Sequence, residues 1–256
     1  LLYSHGFRGR VFATEATCQL CNIMLKDSAH IQMFEAEWRN RKAKRAGTEK
    51  VAPLYDMNDA MGVLKHFEAC DYDAVVSVCD GLKVRFVDAG HLLGSSSIEI
   101  WITEECDGEK KEIKIVFSGD IGPGNRPLIK DPAYISGADY VVMESTYGDR
   151  LHKATTDFAV LLADLLKDTF RRGGNLVIPA FSVGRTQEML FFLRRIKTEQ
   201  LAPELGNFLV YVDSPLAIEA TSIFNKNVQD CFKEEAVALV NSGINPISFP
   251  GLRMSI

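Results

Sequence analysis

Glu144-Ser-Thr-Tyr-Gly-Asp149 follows an apolar run, 24 residues after Asp120 and 53 residues after His91. His91, Asp120 and Glu144 each end an apolar or alternating run and open a loop. An α/β protein places metal ligands and catalytic carboxylates at such positions, because the sheet fixes the backbone while the side chain reaches into a crevice. The pattern therefore predicts an α/β fold with a candidate metal and catalytic site at its strand ends.

Each of these residues also has a simpler interpretation. A single His is more often structural, and Asp120 in its Gly-rich turn could serve only to form that turn. Glu144 follows the most apolar strand and needs a partner such as a His, an Arg or a metal, because burying a carboxylate alone is costly. One imidazole and two carboxylates suit a divalent metal, and two metals about 3.5–4 Å apart would favour phosphodiester hydrolysis. The chain contains no His-x-His motif, so His91 and Asp120 alone are short of ligands.

Composition limits the classes of protein that remain. The 256 residues are 46% hydrophobic and 25% charged, which predicts one large core or two smaller ones rather than disorder. The net charge of −5 gives no global attraction to nucleic acid. The basic segment Arg39–Arg45 could bind phosphates locally, although a solvated helix end or a loop is the simpler interpretation.

Cysteine usage and hydropathy predict a cytoplasmic protein outside the membrane. No apolar run reaches the roughly 18 residues that span a bilayer, and no signal peptide opens the chain. Cys18 and Cys21 are the one closely spaced pair of the six cysteines, and we expect them to pack on one side of a helix rather than bind zinc. Leu1 and Ile256 read as the cut ends of a longer protein.

The periodicity of apolar residues changes near residue 150, where we place a domain boundary. The first part predicts a helix capped by Thr14 or Thr17 and running toward Trp38, and a second helix from Met57 to Phe67. Five strands follow, the last of them buried on both faces, with the third and fourth joined by a turn at 107–110. We place them at 74–78, 84–87, 98–102, 113–117 and 140–143.

After residue 150 the pattern alternates between helix and strand, which is typical of a doubly wound parallel sheet. The predicted elements are a helix at 157–172, a strand at 176–179, a helix at 185–196, a strand at 209–212 and a helix at 216–224. Ser182 and Arg185 precede one helix and Ser214 precedes the next, so these three residues make a plausible phosphate cradle. The alternative is ordinary capping by Ser182 or Ser214, with Arg185 paired to Glu188.

Several stretches together resemble the metallo-β-lactamase superfamily and its β-CASP branch of RNA- and DNA-processing nucleases. Asp88-Ala-Gly-His91 is similar to the third motif of that fold, whose His binds zinc, and Phe117-Ser-Gly-Asp120 to the fourth, whose Asp bridges two zincs. Glu144-Ser-Thr is similar to motif A of the branch. Residues 176–188 and 212–217 resemble the inserted β-CASP cap.

The resemblance implies an incomplete αββα sandwich in residues 1–150 and part of an α/β cap in 151–256. It implies a zinc-dependent ribonuclease with two zincs in its complete site. His91 and Asp120 would be metal ligands, Asp120 and Glu144 catalytic, and Ser182, Arg185 and Ser214 substrate-binding. Motifs that the family carries upstream of Leu1 and beyond Ile256 are missing, so we expect the fragment alone to be inactive.

Some consequences of the resemblance stay open at this stage. We expect RNA as the partner, with DNA less favoured, and leave open a homodimer. The competing hypothesis is a catalytically dead module of the same fold that binds RNA or a partner protein. Hydrolysis of a small molecule, as in the wider superfamily, is less favoured because the cap-like half is present.

Overall fold

The computed structural model describes residues 1–106, 109–151 and 157–255. It is a mixed α/β structure, as expected. The strands are β1 Val11–Thr14, β2 Phe67–Cys70, β3 Val75–Cys79, β4 Leu82–Asp88, β5 Ser96–Cys106, β6 Glu109–Phe117, β7 Tyr140–Val142, β8 Val210–Val212 and β9 Leu252–Met254. The α-helices are α1 Glu15–Ala46, α2 Met57–Leu64, α3 Phe158–Arg171, α4 Arg185–Thr198, α5 Pro215–Lys226, α6 Val228–Cys231 and α7 Glu234–Asn241, with a 3₁₀ turn at Pro203–Leu205.

Helix α1 begins where the sequence predicts and ends later. Thr14 is its N-cap and accepts a hydrogen bond from the Thr17 amide. The helix continues past Trp38 to Ala46 and ends at Gly47, whose φ of 69° makes a left-handed C-cap. The basic segment extends the helix because Arg, Lys and Ala all have high helix propensity. Arg39–Arg45 is therefore helical rather than a loop.

The predicted alternating strands form a five-stranded sheet in the order β3-β4-β5-β6-β7. The first four strands are antiparallel, and β7 adds in parallel to β6. One face buries apolar side chains that include Val84 and Phe86. Glu99 on β5 is fully buried and pairs with Arg85 of β4 and Lys114 of β6. Although burial opposes ionisation, these two cations hold the pKa of Glu99 below its usual value.

Three predictions from periodicity are wrong. Helix α2 ends at Leu64 because Phe67 begins β2, which pairs in parallel with β1. Strand β7 is not buried on both faces: Tyr140, Val141 and Val142 are 62%, 59% and 53% exposed, since β7 is a sheet edge that pairs only with β6 among the described residues. Residues 176–179 form no strand in the described structure, and Val177 is 84% exposed.

The second half of the chain is mainly helical rather than doubly wound. The described strands in it are β8 and β9, which form a two-stranded parallel sheet. The predicted turn at 107–110 falls partly outside the described residues. Cys18 and Cys21 are half-buried within α1, in line with the packing interpretation.

The main hydrophobic core lies on both sides of residue 150. It joins Leu20 of α1 and Leu93 of the loop after β4 to α3, α4 and α5 of the second half. The core thereby fixes the loop that carries His91 against helices that follow it by about a hundred residues. A domain boundary near residue 150 stays a prediction. Among the described helices, none is both long and apolar enough to cross a membrane.

Candidate metal and catalytic site

The loop after β4 holds His91 through a dense set of backbone contacts. The Ser95 hydroxyl accepts hydrogen bonds from the amides of His91 (3.0 Å) and Leu92 (3.1 Å). The hydroxyls of Thr14 and Thr17, at the start of α1, both donate to the carbonyl of Gly94, at 2.8 and 2.7 Å. The N-terminal end of α1 is thus fastened to the loop that positions the imidazole.

The loop after β6, which carries Asp120, lies directly against the His91 loop. The amide of Gly122 donates to the carbonyl of Ala89 at 2.8 Å. A Cβ added to Gly122 would lie 1.8 Å from the carbonyl oxygen of Gly90, and a Cβ added to Gly90 would lie 2.4 Å from the nitrogen of Pro132. The two strand-end loops can approach this closely because glycine occupies both contact positions.

The structure brings together the two residues predicted to bind metal. His91 Nε2 lies 3.9 Å from Asp120 Oδ2. Nδ1 of His91 is buried and has no hydrogen-bond partner among the described residues, whereas the Asp120 side chain is 71% exposed. Imidazole nitrogen and carboxylate oxygen are both good donors to a divalent ion such as zinc. The described residues contain no group of three or more His, Cys, Asp or Glu side chains that could hold a metal. His91 and Asp120 therefore fit part of a metal site.

Glu144 belongs to the same cluster, but its partner differs from those expected. Its carboxylate accepts a hydrogen bond from the amide of Ile121, next to Asp120 in the chain. That bond, then a bond from the Thr146 hydroxyl, and more weakly the charge of His91 hold the pKa of Glu144 below its usual value. The amide of Glu144 in turn donates to the Ser118 hydroxyl at 3.1 Å. Glu144 is thus a carboxylate at neutral pH that ties the end of β7 to the Asp120 loop.

The N-terminal end of α4 faces the His91 loop. A Cβ added to Gly184 would lie 2.5 Å from Cδ2 of Leu92. Just inside α4, Glu188 is buried and pairs with Arg126 at 3.1 Å and with Arg185 at 2.7 Å. His91, Arg126, Gly184 and Glu188 line one small cleft. Two guanidinium groups share one carboxylate there, which leaves a net positive charge beside the candidate metal ligands.

The three predicted substrate-binding residues do not form one cradle through their described contacts. Arg185 pairs with Glu188, as the capping alternative proposed, but it stays more than half exposed. Ser214 caps α5 by accepting from the Ala217 amide at 3.2 Å. Ser182 caps no helix, since Gly184 is the N-cap of α4; its carbonyl accepts from the Gln187 amide group at 3.1 Å. Binding of substrate by these residues stays a prediction.

Sequence reasoning missed Arg126, whose side chain is only 17% exposed and whose Nε is buried without a partner among the described residues. Arg126 lies in the irregular segment after the Gly-rich turn, where no periodicity marks a side chain as directed toward a site. The anchoring role of Thr17 was also missed. Its position in the first turn of α1 indicated a cap, whereas its link to Gly94 joins residues 77 positions apart.

Comparisons with known proteins identify one matching domain and several similar proteins. Residues 186–255 match the Beta-Casp domain. The chain is 30% identical over 253 residues to Ribonuclease TTHA0252 of Thermus thermophilus, which covers 99% of this chain and 51% of that protein. It is 29% identical over 237 residues to Endoribonuclease ysh1 of Schizosaccharomyces pombe, covering 90% of this chain and 28% of that protein.

A third relative carries a different name. Transcription termination factor FttA of Methanosarcina mazei is 29% identical over 250 residues, covering 96% of this chain and 35% of that protein. The chain thus spans about half the length of the relative from Thermus and about a third of the other two. With the strand-end motifs and the match to the cap domain, these similarities show that the chain belongs to the β-CASP family of the metallo-β-lactamase superfamily.

Proposed function

We propose that the whole protein is a zinc-dependent ribonuclease that acts in RNA processing or decay. The observation that carries the proposal is the approach of His91 Nε2 to Asp120 Oδ2, 3.9 Å apart in the loops after β4 and β6, at one edge of the sheet. The ribonuclease names of two relatives that align with 90% or more of this chain support the choice of reaction and substrate. RNA is the favoured substrate and DNA the less favoured one.

His91 and Asp120 would hold the metal, with two zincs in a complete site. The relatives are at least about twice as long as this chain, so the proposal places the remaining ligands outside its 256 residues. When bound, zinc supplies Lewis-acid polarisation of the phosphodiester and a nucleophilic hydroxide at neutral pH. The protein's own contribution is to hold the His91 imidazole and the Asp120 carboxylate close together through the glycine contact between their loops.

Other residues of the site would position a catalytic group or the substrate rather than react themselves. Glu144 remains ionised because the Ile121 amide stabilises its carboxylate, and in our proposal it orients a His that lies outside this chain. Arg185 is more than half exposed and pairs with Glu188 through one of its guanidinium nitrogens. Its other guanidinium N–H groups remain to donate to a phosphate. Ser182 and Ser214 would contribute hydroxyls to substrate binding, although the Ser214 hydroxyl already caps α5.

Cleavage of labelled RNA by the full-length protein tests the proposal. Asp120→Ala should abolish cleavage while leaving the fold intact, because Asp120 is an exposed side chain whose described partner is His91. The matched control is Asp80→Ala, which removes an exposed carboxylate from the hairpin at the opposite end of β4 and should cleave like the wild type. Equal cleavage by Asp120→Ala and the wild type would refute the assignment.

One observation favours a second candidate, a module that binds RNA or a partner without cutting. The described residues bring together only two metal-binding side chains at this site. For residues 1–256 alone we therefore expect little or no zinc and negligible cleavage. If the full-length protein binds RNA yet never cuts it, with zinc supplied, the binding module is the correct function.

A further inference from the structure

The far half of α1 presents an aromatic surface to solvent. Ala29 and Ala36 are buried, and the Asn40 side chain is bound to the backbone of Val51, so these positions define the inward side of the helix. On the opposite side Phe34 is 57% exposed and Trp38 is 48% exposed. Two large apolar side chains four residues apart on the solvent side of a helix lie next to each other, and a contiguous exposed apolar patch is typical of an interaction surface.

Cations follow these aromatic side chains on the same side of the helix. At 3.6 residues per turn, Arg41 and Arg45 continue the line of Phe34 and Trp38, and Lys42 lies beside it. The Lys42 ammonium lies 3.6 Å from the centre of the Trp38 ring. Within the described part of the chain, Arg41 and Arg45 have no ion pair, so their charges are not neutralised by the protein.

We propose that this solvent face of α1, formed by Phe34, Trp38, Arg41, Lys42 and Arg45, binds single-stranded RNA outside the catalytic site. Bases stack on exposed aromatic rings and phosphates pair with nearby cations, which is how single-stranded nucleic acids are held without sequence preference. Three cations in the last two turns give charge complementarity with a polyanion, although the whole chain is acidic at −5.

A membrane surface fits this face less well. An interfacial helix carries an apolar stripe along its length with cations beside it. On α1 Met24 and Ile31, 44% and 45% exposed, extend the exposed apolar side chains toward the start of the helix. The cations of the face, however, all lie beyond Trp38 in the last two turns rather than beside these apolar residues. An acidic protein would pair with the cations but would leave Phe34 and Trp38 without a specific role.

The face is remote from the cleavage site but lies on the same helix that contacts the His91 loop. Thr17, at the start of α1, is bonded to the loop that carries His91. Trp38 lies 21 residues further along the helix, about 30 Å at 1.5 Å per residue. An RNA strand held at Trp38 must be long enough to span that distance before it can reach His91 and Asp120. The face would therefore favour long RNAs over short ones.

The choice of RNA as ligand rests on the proposed function, and the test separates the two. Full-length protein with Asp120→Ala, which does not cut, is titrated with fluorescently labelled single-stranded RNAs of about 5 and about 30 nucleotides, and anisotropy is read at several salt concentrations. Adding Trp38→Ala should weaken binding of the long RNA about 5- to 150-fold, as expected for one lost base stack. It should affect the short RNA less, because a short RNA can occupy the cleavage site without reaching the face.

A pair of charge variants provides the matched control. Arg41→Ala with Arg45→Ala should lower the slope of log affinity against log salt by about 1.4, at about 0.7 per phosphate contact. Arg171→Ala with Arg172→Ala also removes two exposed arginine side chains, here from the C-terminal end of α3, where both cations pair with Asp168. This control should leave the slope almost unchanged. Alanine at these positions preserves helix propensity.

Several results would overturn the inference. Wild-type affinity for the long RNA in Trp38→Ala would do so, as would equal salt slopes in the two charge variants. The face would belong to a different partner if it bound anionic phospholipid vesicles or polyglutamate while the affinity for RNA did not depend on Trp38. Failure to cleave RNA in the wild type together with a Trp38-dependent affinity would sink the proposed nuclease and leave this inference standing.

Discussion

Replacing Gly122 by Ala should disable the site by separating its two loops. The new Cβ would lie 1.8 Å from the Gly90 carbonyl oxygen and 2.3 Å from its carbon, whereas ordinary contact begins near 3.4 Å. One loop must therefore move by about 1.5 Å, and both atoms it meets are backbone, so no side-chain rotation relieves the clash. Gly90 precedes His91 directly, and Gly122 follows Asp120 by two residues.

The expected effect on cleavage is large because misplacement of about 1 Å can lower a rate about 100-fold. Overpacking of this kind also destabilises by about 1–3 kcal/mol. RNA cleavage and urea unfolding of the full-length variant measure the two effects separately. Gly174→Ala is the matched control: its added Cβ meets the Thr169 methyl group at 3.4 Å, so both rate and stability should change little. Activity of Gly122→Ala within threefold of the wild type would refute the argument from loop contact.

Two further predictions concern the scaffold. Glu99→Ala should lower the free energy of unfolding by about 3 kcal/mol, because it leaves Arg85 and Lys114 without their buried carboxylate, and Glu99→Gln should lower it less. Urea unfolding measures both effects as shifts of the midpoint with an unchanged dependence on urea concentration. Unchanged midpoints would contradict the stabilising role of these ion pairs. Burial raises the pKa of the Cys18 thiol to about 11, so at pH 8 this thiol is protonated and unreactive. Iodoacetamide should therefore label the exposed Cys79 first, and Cys18 should react readily only as the pH approaches 11. Peptide mass spectrometry that shows the reverse order of labelling would contradict this prediction.

The strand-end pattern predicted the site because alternation and loop composition are local properties. His91 follows β4 and Asp120 follows β6, and these strands run in the same direction on either side of β5. Their C-terminal ends therefore lie at one edge of the sheet, and the proximity of the two residues follows from assigning the strands correctly. The partners of Glu144 could not be found in this way. Its carboxylate meets the backbone amide of Ile121, and a backbone group leaves no signal in residue identity.

The wrong predictions arose where periodicity does not determine burial. Tyr140–Val142 is as apolar as a buried strand, yet it lies at the edge of the described sheet, and composition cannot distinguish a central strand from an edge strand. Phe67 fits the helical period of α2 but pairs with Val11, because a parallel ladder with β1 outweighs helix propensity at the end of a short helix. Arg126 is buried through contacts with a helix about sixty residues away, which no local pattern reveals.

The zinc content of the purified full-length protein tests the central claim most directly. We predict about two zinc ions per chain after dialysis, measured by mass spectrometry of the metal, and a clear loss of zinc in His91→Ala. His30→Ala, which removes an exposed imidazole from the middle of α1, should keep the wild-type content. Equal zinc in His91→Ala and the wild type would contradict the claim that the imidazole of His91 and the carboxylate of Asp120 form one metal site.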